Sequence, residues 1–175
     1  MATGIVNVFP GGVGPDNATA SQSAALSYDA SATAGSGNVP KSYAMKLLFD
    51  ATTDEHWMFN LLLPADYASG GTLRGVAKFT SAVANAAIMK AGQVTTVDGS
   101  TDDDATSYAA TDLSSSVTAP GTQGQTVSFT IALTTTNMAA NRLCRLYIGR
   151  EPDNASDTAT GDLELLSLNL EYTTA

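Results

Sequence analysis

Charge is scarce in this chain. Only 14% of its 175 residues are Asp, Glu, Lys or Arg, against roughly a quarter in an ordinary soluble domain. The eight basic residues are scattered: Lys41, Lys46, Arg74, Lys78, Lys90, Arg142, Arg145 and Arg150. With a net charge of −9 and no cationic stripe, nucleic acid is not an expected partner, because phosphate neutralisation needs clustered Lys or Arg. Cysteine occurs once, at Cys144, so no intrachain disulfide can form. Histidine and tryptophan also occur once each, as His56 and Trp57. No apolar run reaches the length of a membrane-spanning helix. The first residues show no charged-then-apolar export signal. Synthesis in a cytoplasm and no membrane partner are the expectations.

The first forty residues lack even more. They contain no Lys, Arg, Glu, His, Trp or Cys, and are mostly Ala, Gly, Ser, Thr and Asn. Their apolar residues are isolated: Ile5, Val6, Val8, Phe9, Val13, Leu26 and Tyr28. Gly11-Gly12-Val13-Gly14-Pro15 interrupts any regular element. Such a segment cannot bury enough apolar surface to order itself. We therefore divide the chain into an extended N-terminal arm, residues 1–40, and a body, residues 41–175. An extended arm of that length can reach on the order of 100 Å. The expectation is that it orders against a partner, with folding back on its own body as the other outcome. Ile5, Val6, Val8 and Phe9 are the candidate partner-binding residues.

The body alternates apolar and polar residues, the mark of strands with one face buried. Tyr43, Met45, Leu47 and Phe49 share one face, and Val127, Phe129, Ile131 and Leu133 another. Further strands are read at 57–63, 73–81, 88–97, 110–116, 143–149 and 163–172. Gly, Pro, Asp and Asn clusters separate them, at 50–54, 69–71, 98–100, 120–121 and 153–162. Helix is nearly absent, with one turn expected near Asn137. Eight strands without βαβ spacing predict an all-β fold, an antiparallel β-sandwich of jelly-roll type. An immunoglobulin-like sandwich is the rival. About 135 residues can bury roughly two-thirds of their unfolded surface, enough for a core without metal or disulfide.

Catalytic equipment is thin. His56 stands alone at a strand mouth, and no Gly-x-Ser-x-Gly elbow accompanies it. Cys144 alternates with Leu146 and Ile148 and reads as a small buried residue. Asp98 with Asp102-Asp103-Asp104 could offer oxygens to a hard cation, but without the ordered ligand spacing of a calcium loop. Glu151, Asp153, Asp157 and Asp162 flank a second loop and are expected to fix turns. Neither a phosphate loop nor a dinucleotide fingerprint occurs. The expectation is no enzyme, no cofactor, no metal and no catalytic residue. For sugar stacking, Tyr67 and Tyr108 are the open candidates, and Trp57 reads as core.

Two segments carry a family resemblance. One runs from Leu47 through Asp50, Thr52-Thr53-Asp54-Glu55-His56 and Phe59 to Leu63-Pro64-Ala65-Asp66-Tyr67. The other runs from Arg150 through Asp153-Asn154-Ala155-Ser156-Asp157 to Gly161-Asp162, then a last strand ending Leu170-Glu171-Tyr172. Both resemble structural proteins of tailed bacteriophages, over about residues 43–173. The resemblance implies a small jelly-roll virion component. The reading we take is a capsid decoration or cement protein on the head surface, bound to the major capsid protein and self-associating as a homotrimer. The alternative is a tail or fibre component that binds host-surface glycan.

Overall fold

The computed structural model describes residues 2–8, 14–15, 23–30, 43–82, 84–108 and 113–175. Eleven strands are defined in them: β1 (Thr3–Asn7), β2 (Gly14–Pro15), β3 (Ala25–Ala30), β4 (Tyr43–Phe49), β5 (Glu55–Leu62), β6 (Tyr67–Phe79), β7 (Ala86–Thr95), β8 (Leu113–Thr118), β9 (Thr126–Ala132), β10 (Leu143–Arg150) and β11 (Leu163–Thr174). There is no helix among the described residues. The segment near Asn137 is a turn, closed by Met138 N donating to Thr135 O at 3.1 Å.

The eight body strands pair as one long hairpin folded on itself. β7 pairs with β8, β6 with β9, β5 with β10 and β4 with β11. Wrapping this ribbon brings β11 against β6 and β10 against β7. The result is two antiparallel sheets, one ordered β4-β11-β6-β9 and the other β5-β10-β7-β8. This nested order is the jelly roll expected from eight alternating strands, and not an immunoglobulin-like arrangement.

The core lies between the sheets. Leu47, Phe49, Leu73, Phe79, Ile131, Leu163, Leu165, Leu168 and Leu170 enter it from the first sheet. Phe59, Met89, Ala91, Leu146 and Ile148 enter from the second. Inward and outward positions alternate along β9, as period two requires, whereas β10 is buried on both faces from Leu146 to Arg150.

The described N-terminal strands lie against the body, the second of the two outcomes open for this segment. β1 pairs with β11, placing Val6 opposite Leu170. Val8 N donates to Leu168 O at 3.0 Å, and Val8 itself is buried in the body's core. β2 lies on β5, and β3 lies on β4. Ala24 is buried, its N–H bonded to His56 O at 3.2 Å. The physical reason is the edge. β4 and β5 would otherwise leave a row of unpaired backbone groups, and the chain's own first strands satisfy them. The boundary at residue 40 falls outside the described residues.

Candidate functional site

Of the four candidate contact residues, the structure separates three and leaves Phe9 outside the described residues. Ile5 is 62% exposed on the outer face of the first sheet, opposite Glu171. Val6 is half-buried against the core, and Val8 is buried. Val8 is therefore a packing residue rather than a contact residue. Two further large apolar residues are exposed, on the other face of the sheet from Ile5. Leu26 and Tyr28, on β3, are 47% and 66% exposed. Their cross-strand partners are Leu47 and Met45, so both continue the core-facing side of the sheet beyond the body. Only one other large apolar side chain, Leu62, is exposed among the described residues. Sequence reading noted Leu26 and Tyr28 but did not single them out. Their spacing of two, next to a stretch free of charge, was the available signal.

The outer face of the first sheet is polar and cross-linked. Glu164 on β11 lies between Lys46 of β4 and Lys78 of β6, the latter at 3.0 Å. Arg74 grips both carboxylate oxygens of Glu171. These pairs tie three strands together across the sheet's outer face.

The aromatic candidates are mostly committed internally. Tyr67 is buried, donates its hydroxyl to Gly70 O at 2.6 Å, and stacks on Tyr172 at 5.6 Å. Tyr172 in turn donates to Asp66 Oδ1 at 2.9 Å. Tyr67 is thus no sugar platform. Tyr108 is half-buried and meets Tyr147 edge-on at 4.8 Å. Trp57 packs against the core, as expected. His56 lies edge-on to Tyr147 at 5.8 Å. The Cys144 thiol is fully buried, and burial pushes its pKa up, away from the reactive thiolate.

The acidic residues serve turns. Asp102 Oδ1 accepts Asp104 N, and Asp103 pairs with Arg145 at 3.1 Å. Asp162 Oδ1 accepts Ala51 N at 3.1 Å. Asp50 caps the turn after β4 through Thr52 and Thr53, and the Thr52 hydroxyl bond leads in holding its carboxyl low. Burial raises Asp54 and Glu55 instead. No group of three or more metal-ligating side chains forms among the described residues. Sequence reading missed Arg150. It is in phase with the inward Cys144, Leu146 and Ile148, and that phase was the sign of a buried cation.

A cleft of about 270 Å³ lies between the loop after β7 and the loop after β9. Its floor is Gln93 and Thr95, and Ser107, Thr134, Thr136 and Asn137 stand at its rim. Gln93 Nε2 donates to Thr134 O and Thr136 O at 2.8 and 3.0 Å. Its Oε1 accepts from Thr95 Oγ1 at 2.6 Å.

No family model matches the sequence. No curated protein sequence matches it either. Solved structures do resemble the fold. The functional form of the mosquito-larvicidal Cry4Aa toxin from Bacillus thuringiensis aligns with 99% of this chain at 10% identity and a TM-score of 0.50. The chain spans about a quarter of that toxin's length, 24%. A mannan-recognising carbohydrate-binding module, TmCBM27, aligns over 99% of this chain and 100% of its own at 8% identity and a TM-score of 0.45. The enzymatically active domain of tailspike protein 4 of bacteriophage CBA120 aligns over 96% of this chain and 19% of its own, at 6% identity and 0.41. At these identities the toxin likeness speaks for the fold alone, and the two lower scores carry no argument.

Proposed function

We propose that this chain is a non-catalytic structural component of a bacteriophage virion, a capsid decoration or cement protein that attaches to the head shell. One observation supports the attachment mode. Three of the four large apolar side chains exposed among the described residues, Ile5, Leu26 and Tyr28, belong to the N-terminal strands. Full burial of such a side chain is worth roughly 1.5–3 kcal/mol, which is modest for one copy. Repetition over a symmetric shell multiplies it. The jelly-roll body supplies a stiff block. The partner in this reading is the major capsid protein, with a second contact to further copies as a homotrimer on the capsid surface.

Co-sedimentation with undecorated heads tests it. The variant I5T/L26S/Y28S should melt as the wild type does but stay in the supernatant. If it pellets with heads as the wild type does, the attachment surface lies elsewhere. Labelled particles distinguish the rival location: a lattice over the head supports decoration, and label confined to the tail supports a tail or fibre component.

A further inference from the structure

We infer that the cleft above Gln93 is a binding site for a neutral saccharide, separate from the attachment surface. Its chemistry is unusual for this chain. The protein carries a net charge of −9, yet every residue lining the cleft is uncharged. The flanking Arg142 spends Nη1 on Asn137 O at 2.7 Å, and an ionic ligand would find no counter-charge in the lining itself. A polyhydroxylated neutral ligand would find many alternating donors and acceptors.

The floor is fixed before any ligand arrives. Gln93 is 8% exposed and Thr95 5%. The Gln93 amide spends both of its N–H groups on the carbonyls of Thr134 and Thr136, so it pins the second loop to β7. Such pre-ordering lowers the entropic cost of binding. The rim is the opposite. Ser107, Thr134, Thr136 and Asn137 are exposed. Their side-chain hydroxyls and amide take no hydrogen bond within the described residues. Asn137 holds a left-handed backbone, φ 63°, which turns this loop tightly at the rim. Thr95, Thr101, Thr106, Thr134 and Thr136 line the cleft, and each threonine pairs a methyl group with a hydroxyl, the mixed surface that a sugar ring presents in return. At about 270 Å³ the cleft falls just under the roughly 300–1,000 Å³ of sites for drug-sized ligands. One or two sugar rings match that size.

The cleft is separate from the exposed apolar residues of β3 and β1. Ile5 on β1 lies three strand spacings from β9 by way of β11 and β6, and β3, with Leu26 and Tyr28, lies four spacings from β9, at the opposite end of the first sheet. At about 4.8 Å each, four spacings are roughly 19 Å. Saccharide binding and shell attachment can therefore fail independently.

The test is an array of neutral, sialylated and phosphorylated glycans, followed by titration of the best neutral hit against isotope-labelled full-length protein. Amide shifts should concentrate at residues 93–95, 101–107 and 134–137. T136V and N137G remove rim polarity while leaving β7 intact, and glycine accepts the positive φ. Each should weaken binding at least about tenfold, the scale of one lost hydrogen bond of about 1.4 kcal/mol. I5T/L26S/Y28S should bind as the wild type does. A silent array, a preference for charged glycans, unchanged binding by T136V and N137G, or loss confined to the N-terminal triple variant would each overturn the assignment.

Discussion

Arg150 and Asp157 form a two-pronged ion pair sealed from solvent. Nε reaches Oδ2 at 3.0 Å and Nη2 reaches Oδ1 at 2.9 Å, with side chains 0% and 2% exposed. Nη1 also donates to Gly161 O and Nη2 to Ala159 O, both at 2.8 Å. Asp157 Oδ2 also accepts Ile88 N at 2.9 Å. The pair thus fastens the loop after β10 to both β10 and β7. Breaking one partner leaves the other charge buried, at a cost of about 3–5 kcal/mol. Asp157→Ala should lower the thermal midpoint sharply. A melt within a degree or so of wild type would show that the charge escapes to water.

The N-terminal strands predict a second stability effect. Val8 is 4% exposed, and its loss uncovers Leu168 and its neighbours. Val8→Ala removes two buried carbons at about 0.8 kcal/mol each. Urea unfolding should report a loss of about 1–2 kcal/mol. Ile5→Thr on the same strand should be near neutral, because Ile5 already faces water. Equal effects at the two positions would contradict the pairing of β1 described above. For the same reason, removing residues 1–40 should damage the body rather than leave it intact.

Gly92 marks a close approach of ring to backbone. A Cβ there would sit 2.5 Å from Tyr147 Cε1, so the ring lies almost flat on the strand. Gly92→Ala must displace Tyr147, which is fixed between Tyr108 and His56. Overpacking of this kind costs about 1–3 kcal/mol. Gly121→Ala is the control, since a Cβ there meets nothing within 4 Å. Comparable melting temperatures for the two variants would refute the contact.

Glu164 gives the acid limb its sign. Burial would raise its carboxyl pKa, but Lys46 and Lys78 outweigh burial, and the net shift is downward from the ordinary 4.5. A carboxyl with a lower pKa folded than unfolded binds fewer protons in the folded state. Its stabilisation is present above pH 4.5 and is lost as pH falls through the depressed folded value. Asp54 and Glu55, raised chiefly by burial, act in the opposite direction. Glu164→Gln should therefore flatten the acid decline of stability while lowering it at neutral pH. Unfolding curves from neutral into acid check this, and an unchanged slope would assign the decline to other carboxylates.

Much of the body was legible because its strands are half-buried. Val127-Ser128-Phe129-Thr130-Ile131 must alternate to serve a core on one side and water on the other. β6 was misjudged at its start. Ser69-Gly70-Gly71 reads as a turn, yet it lies inside the strand. Gly70 takes φ +76°, near the register shift between Glu171 and Thr173. A bulge uses the same residue as a turn, so composition alone does not tell them apart. β1 and β3 were harder. They attach through backbone hydrogen bonds at edges, and backbone bonding leaves little trace in side-chain pattern. The cleft was hidden for another reason. Gln93 and Thr136 are distant in sequence, and only the nested wrapping places the loops after β7 and β9 side by side.

That wrapping also dictates an order of events during synthesis. Thr3 finds its register against Thr173, so β1 must wait for β11 to emerge from the ribosome. Pairings so distant along the chain form slowly, on the order of milliseconds to seconds. Until β11 arrives, β1, β4 and β6 each show an unmated edge. A nascent chain of this protein is therefore most exposed to chaperones, and to wrong strand exchange with its neighbours on the same message, until β11 has emerged.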